Sequence, residues 1–147
     1  MTQTPHHANT NPTLLPRSDL LAPPNLFDAA ISPDGNRVAL LRHNEGCFEL
    51  LVAPVAAPRE TTIVSTGRDR PYQSLYWARN NRHILAFSDN RGDENCLLEV
   101  ICADSGATVR FSRSDTADTR LLALSDEYPD EILIESNDRD PAYFDIY

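Results

Sequence analysis

The sequence contains no lysine. All 13 of its basic residues are arginine, set against 22 acidic residues, for a formal net charge of −9. A chain this acidic repels a phosphate backbone, so nucleic acid is not an expected partner. No apolar run approaches the roughly 20 residues that cross a bilayer as a helix. The opening stretch MTQTPHHANTNPTLLPRSDLL has no basic segment leading into an apolar one, so neither a membrane partner nor a secretory signal is expected. Glycine is scarce, five residues against eleven prolines, which suits many short elements joined by turns better than long helices. Cysteine is scarce too. Cys47, Cys96 and Cys102 are odd in number and lack zinc-ligand spacing. Cys96 and Cys102 fall in one apparent strand, where a rise of ~3.3 Å per residue holds them about 20 Å apart, too far to bridge. Reduced, partly buried thiols in a cytoplasmic protein are the expectation.

Catalytic signatures are missing as well. No Gly-x-Ser-x-Gly elbow occurs, so nothing presents a serine on a strained strand-to-helix turn. Ser32, Ser125 and Ser136, with His43 or His83 as a base, each lie beside a turn signal or strand end without an oxyanion loop. His6 and His7 are neighbours but have no third metal ligand near them. No catalytic, cofactor-binding or metal-binding residue is therefore assigned, and no cofactor is expected.

What is present is a β pattern that repeats. Residues 1–17 are polar and proline-punctuated, and read as a disordered tail. Ser18 to Phe27 reads as a short helix or an arm that Pro23–Pro24 stops. Beyond it, short runs rich in branched residues alternate with turn chemistry. Ala30–Ile31 leads through Ser32-Pro33-Asp34-Gly35 into Arg37–Leu41. Tyr76–Trp77 leads through Arg79-Asn80-Asn81 into His83–Phe87. Leu122–Leu124 leads through Asp126–Asp130 into Glu131–Ile134. Val38 to Ile84 spans 46 residues and Ile84 to Ile132 spans 48. The following strands, Glu49–Val52, Glu99–Cys102 and Asp145–Tyr147, keep the same beat after polar loops at His43–Gly46, Asp89–Asn95 and Asn137–Pro141. Candidate fourth strands are Thr61–Val64 and Thr108–Phe111. A period of 45–50 residues holding several strands is the mark of propeller blades rather than of a two-sheet sandwich. The predicted fold is all-β, a partial β-propeller of about two and a half to three blades of antiparallel strands. Residues 18–147 form that incomplete propeller domain, with blades near 27–66, 72–112 and 118–147. A propeller closes with about four to eight blades, so the chain does not close one by itself.

Three stretches carry a family resemblance: ISPDG with NRVALLR (31–42), YWARNNRHILAFSDNRGDEN (76–95) and LALSDEYPDEILIESNDRDPAYFDIY (122–147). Together they resemble the prolyl oligopeptidase family of serine peptidases, in its acylaminoacyl-peptidase and dipeptidyl-aminopeptidase-like branch. The resemblance implies an amino-terminal propeller that caps a carboxy-terminal α/β-hydrolase domain and limits access to large substrates. The family's catalytic serine, aspartate and histidine lie in the hydrolase domain and have no counterparts here. The chain is thus expected to be a propeller fragment of a serine peptidase, with a structural and gating role and inactive by itself. Its expected partners are the remaining blades and the hydrolase domain, with peptide substrates engaged only by the complete enzyme. The alternative is a stand-alone interaction module, a partial propeller completed by self-association or by another chain.

Two further clusters have plainer explanations. In Asp89–Asn95 the glycine is fourth and the twelfth position is Val100, which departs from a calcium loop. A hairpin loop with Gly92 at positive φ is expected instead, and Arg91-Gly92-Asp93 is not read as an adhesion signal. Trp77, Tyr72 and Tyr76 are expected to pack between blades rather than to stack on a ligand.

Overall fold

The computed structural model describes residues 15–17, 21, 25–67, 70–89, 92, 95–112 and 114–147. Residues 1–14 of the tail, with the His6–His7 pair, and most of the Ser18–Phe27 segment lie outside the described residues. Apart from Arg17 and Leu21, which are helical, the regular structure among the described residues is β-strand, and the strands form three antiparallel sheets. The first holds β1 (Leu26–Ile31), β2 (Arg37–Asn44), β3 (Cys47–Pro54) and β4 (Thr62–Gly67), paired in sequence order. The second holds β5 (Tyr72–Trp77), β6 (His83–Ser88), β7 (Leu97–Cys102) and β8 (Thr108–Arg110) in the same order. The third holds β9 (Thr119–Leu124), β10 (Ile132–Asp140) and β11 (Tyr143–Ile146). The partial propeller is therefore present, with Val38, Ile84 and Ile132 in the second strand of successive sheets.

Register confirms the equivalence residue by residue. Ile31 pairs with Val38, Trp77 with Ile84, and Leu124 with Ile132. Two loops are shorter than expected. The strands on either side of His43–Gly46 run to Asn44 and restart at Cys47, leaving Glu45 and Gly46 at φ 49° and 82°. Positive φ at both central residues is what a two-residue type I′ hairpin requires, because its twist matches that of the strands. Likewise β10 continues through Asp140, with the register shift between Ser136 and Asp140 taking up the polar residues expected to form a loop. Gly92 has φ 88°, as a turn residue there needs. Asn90, Arg91, Asp93 and Glu94 lie outside the described residues, and with them the calcium-loop and Arg-Gly-Asp considerations.

The Ser32–Asn36 turn shows why Ser-Pro-Asp-Gly begins a blade. Gly35 takes φ 74° and its N–H donates to the Ser32 carbonyl at 2.8 Å. The Ser32 hydroxyl donates to the Asp34 carboxylate at 2.5 Å and accepts from the Arg37 N–H at 3.0 Å. Asp34 also accepts from the Asn36 N–H at 3.1 Å. The turn thus satisfies its own polar groups before β2 starts.

Packing is face to face between consecutive sheets. Ala39, Leu41, Leu50 and Val52 of the first sheet meet Leu75, Trp77, Ile84, Ala86 and Ile101 of the second. Leu85, Phe87 and Leu98, on the opposite face of the second sheet, meet Ile134 of the third, with Leu121, Leu124 and Ile132 alongside. Alternation along β6 sends Ile84 and Ala86 one way and Leu85 and Phe87 the other, so the second sheet is buried on both faces. Burying a large aliphatic or aromatic side chain is worth roughly 1.5–3 kcal/mol.

Trp77 ties the first two sheets together, as expected of a packing aromatic. It is 4% exposed, and its indole N–H donates to the Ala30 carbonyl at 2.9 Å. The Arg37 guanidinium carbon sits 5.0 Å from the centre of its ring. Arg37 also donates to the Asn81 carbonyl and pairs with Asp104 at 2.6 Å. Tyr72 is buried nearby, with its hydroxyl donating to Glu99 at 2.8 Å and bonded to Ser65 at 2.8 Å. Burial pushes the Tyr72 pKa well above its ordinary value, helped by the Glu99 charge. The phenol therefore stays protonated as a structural donor. Trp77→Ala is expected to lower stability by about 3–5 kcal/mol, the usual cost of emptying a large aromatic site. Trp77→Phe is expected to lose about 1 kcal/mol with the indole hydrogen bond. Denaturant melts followed by circular dichroism compare the two.

An acid-sensitive contact holds β2 to β3. Glu49 accepts from Arg42 at 2.6 and 2.9 Å and from Asn44 at 3.2 Å. The Arg42 and then the Asn44 hydrogen bonds hold its carboxyl below the ordinary 4.5. A carboxyl depressed in the folded state stabilises the fold above its unfolded pKa, and that gain is lost as pH falls through the folded value. Glu49→Gln is therefore expected to melt lower than the parent at pH 7, with the two curves converging below about pH 4. A constant difference across that range in pH-resolved thermal melts would contradict the assignment.

Candidate functional site

The serines and histidines considered as catalytic groups are placed apart. Ser32 belongs to its turn. Ser125 accepts from the Glu127 N–H at 3.2 Å, and Ser136 is buried in a hydroxyl chain with Thr119 and Ser112, each link 3.0 Å. His43 packs its ring on Phe48 at 5.2 Å, and the Nδ1 of His83 bonds Asn80 at 2.9 Å. Among the described residues no serine is bonded to either histidine, and no cluster of three His, Cys, Asp or Glu side chains is placed to hold a metal. No described helix is long and apolar enough to cross a membrane. Cys47, Cys96 and Cys102 are unbridged and partly buried. Hydrogen bonds from the Ser105 hydroxyl, then from the Asp104 and Ser105 backbone, hold the Cys102 thiol below its ordinary pKa.

The concavity with the most chemistry lies between the second and third sheets. It encloses about 370 Å³ and is lined by Gln73, Ser74 and Tyr76 of β5, Phe87 of β6, Cys96 beside β7, and Asp118 through Leu121 at β9. Its floor is a fixed polar seam. The Asp118 N–H donates to Asn137 at 2.7 Å, and the Thr119 N–H donates to the Cys96 carbonyl at 2.7 Å. The Asp118 carboxylate takes the Arg120 guanidinium at 2.7 Å. Arg120 reaches on to Glu135 at 3.5 Å, and its guanidinium carbon lies 4.6 Å from the centre of the Phe144 ring. A guanidinium held between two carboxylates over an aromatic ring is already charge-compensated, and its remaining N–H groups suit a neutral carbonyl acceptor. It supplies neither a nucleophile nor a proton-transfer group.

Sequence reasoning did not single out Arg120, although the repeat contains the signal. Leu41 pairs with Asp28, Phe87 with Ser74, and Glu135 with Arg120. These three partners therefore occupy one position in successive first strands. Aligning only the apolar residues of the copies hides this change from acid to hydroxyl to base. In the first sheet that position already has a joining role: the Asp28 carboxylate accepts the Leu75 N–H of the second sheet at 3.0 Å.

No family model matches the chain. Dipeptidyl aminopeptidase BIII of Pseudoxanthomonas mexicana is 26% identical over 134 residues, which cover 91% of this chain and 19% of the relative. The chain thus spans about one fifth of the length of that enzyme. Solved structures share the fold. The β-propeller domain of the Trilobed protease from Pyrococcus furiosus superposes with a TM-score of 0.52 at 20% identity, over 76% of this chain and 34% of that one. An acylaminoacyl peptidase gives 0.55 at 18%, over 76% and 20%, and a puromycin hydrolase gives 0.55 at 14%, over 82% and 21%. The resemblance to the propeller portion of the prolyl oligopeptidase family is borne out by the curated relative in sequence and by these structures in fold.

Proposed function

We propose that this chain is a propeller portion of a prolyl-oligopeptidase-family serine peptidase, that it forms part of the gate over the active site, and that it hydrolyses nothing by itself. One observation carries the reading: the match to the dipeptidyl aminopeptidase runs along 91% of this chain yet occupies 19% of that enzyme, and it coincides with three successive propeller sheets. What the chain contributes under this reading is a wall. Sheets packed back to back through Trp77 and Phe87 are rigid, and rigidity is what a barrier to large substrates needs. Arg120 and the cleft beside it offer an orienting cation rather than a reacting group. The cytoplasmic location expected from the three unbridged thiols is part of the same proposal.

Two measurements test it. Purified chain is expected to leave dipeptidyl and acyl-amino-acid chromogenic substrates unhydrolysed, because an activated serine and an oxyanion hole carry most of such a rate. Turnover abolished by a serine-directed covalent inhibitor would contradict this. The coding sequence downstream of Tyr147 is expected to encode further strands at 45–50-residue spacing, and then Gly-x-Ser-x-Gly followed by aspartate and histidine. Unrelated sequence in every frame would reject the peptidase reading.

A further inference from the structure

We propose that the cleft between the second and third sheets binds a small uncharged amide carrying an apolar group, with its carbonyl oxygen taken by the Thr119 and Ser74 hydroxyls. The proposal goes beyond the peptidase reading and does not depend on it. Both walls of the cleft are sheets that the chain itself supplies, so the site is independent of what stands against the outer faces of the first and third sheets. Its volume of about 370 Å³ falls within the roughly 300–1,000 Å³ of small-molecule sites.

The two joins of the molecule differ at one position. In the first, the Asp28 carboxylate crosses to the Leu75 N–H at 3.0 Å and ties the first strands of the two sheets together. In the second, the register puts Ser74 where Asp28 stands and Leu121 where Leu75 stands. Serine reaches one bond less far than aspartate, and among the described residues its hydroxyl bonds nothing on the third sheet. Both Ser74 and Leu121 line the cleft that remains between them.

A buried hydroxyl chain supplies the donor. Ser112, Thr119 and Ser136 are 4%, 1% and 0% exposed, and two hydrogen bonds of 3.0 Å join them. Two links use two of the three hydroxyl hydrogens. Ser136 also accepts the Asp138 N–H at 3.3 Å. With Ser112 and Ser136 both donating to Thr119, the third hydrogen is that of Thr119, the member of the chain that lines the cleft. Any other arrangement strands a hydrogen on Ser112 or Ser136, buried without an acceptor. Alternation along β9 turns Thr119 and Leu121 toward the second sheet, so donor and apolar wall face one space. Across it, Tyr76 and Phe87 stand edge to face with ring centres 5.9 Å apart, a surface for an aromatic or branched group. Two carboxylates, Asp118 and Glu135, against the one guanidinium of Arg120 leave the rim net negative, which disfavours an anion. An ammonium group offers the hydroxyls no acceptor.

Titration of the full chain with hydrocinnamamide, followed by heteronuclear NMR, tests the site. Backbone amide shifts are expected to centre on Ser74, Tyr76, Thr119 and Leu121. Hydrocinnamate and phenylpropylamine, similar in shape but charged, are each expected to bind about tenfold more weakly, the loss that goes with one hydrogen bond to a buried donor. Thr119→Val is expected to weaken amide binding by about the same factor, while Thr119→Ser keeps the hydroxyl and stays within about threefold of the parent. Ser74→Asp is expected to close the second join as Asp28 closes the first, abolishing binding with an unchanged far-ultraviolet spectrum. Should Thr119→Val unfold, Ser74→Asp decides alone, since its side chain lies at the cleft rather than in the hydroxyl chain. Hydrolysis and downstream sequence do not enter these readouts, so the site stands or falls separately from the peptidase reading. Equal binding of amide and carboxylate, undiminished amide binding in Ser74→Asp, shifts centred elsewhere, or no shifts, the cleft then holding water alone, would each overturn the proposal.

Discussion

Burial of the second sheet on both faces is the constraint on which the rest of the structure depends. An antiparallel sheet with one apolar face needs one partner; this one has two apolar faces and therefore needs sheets on either side. Along β6, Ile84 and Ala86 face the first sheet while Leu85 and Phe87 face the third. Because side chains alternate with a period of two, a register slip of one residue would exchange those two sets. The hairpin turns and the bulges on β5 and β9 hold that register. Polar contacts then finish each join: the Trp77 indole on Ala30 and Asp28 on Leu75 for the first, and the Cys96–Asp118 and Thr119–Cys96 bonds for the second.

The same constraint shapes the chemistry. First strands stand at one edge of each sheet, so the clefts between sheets are lined by corresponding residues of successive copies. Asp28, Ser74 and Arg120 share one such position; Ser74 and Arg120 both line the cleft between the second and third sheets, and Arg120 also meets Asp118, Glu135 and the Phe144 ring. Equivalent backbone positions thus hold a structural joint in one blade and a cleft-lining cation in another. Function in a propeller is carried by such substitutions within a constant frame, while the frame itself supplies no reacting group.

Much of the fold was legible because turns and hydrophobic alternation are local. Ser-Pro-Asp-Gly, Trp77 before its Asn80–Asn81 turn, and the branched runs after them mark corresponding strands at 46 and 48 residues. Loop lengths were less legible. His43–Asn44 and Asn137–Asp140 read as loops from polarity, yet they lie in strands: His43 and Asn44 pair with Phe48 and Cys47, and the Asn137, Asp138, Arg139 and Asp140 side chains bond Asp118, Ser114, Asp145 and Ala142. Glu45 before Gly46 does not advertise a type I′ turn as Asn-Gly would. Arg120 stayed hidden for another reason: its importance comes from Asp118, Glu135 and Phe144, which the fold brings together from three different places in the chain.

Native-state hydrogen exchange, read by mass spectrometry, measures directly whether the doubly buried second sheet organises the molecule. Amides that open only with global unfolding report the most stable unit. The slowest exchange is predicted in His83–Ser88 and Leu97–Cys102, with β1, β8 and β11 exchanging earlier. Slowest exchange in the third sheet, or equal protection across all three sheets, would contradict the account.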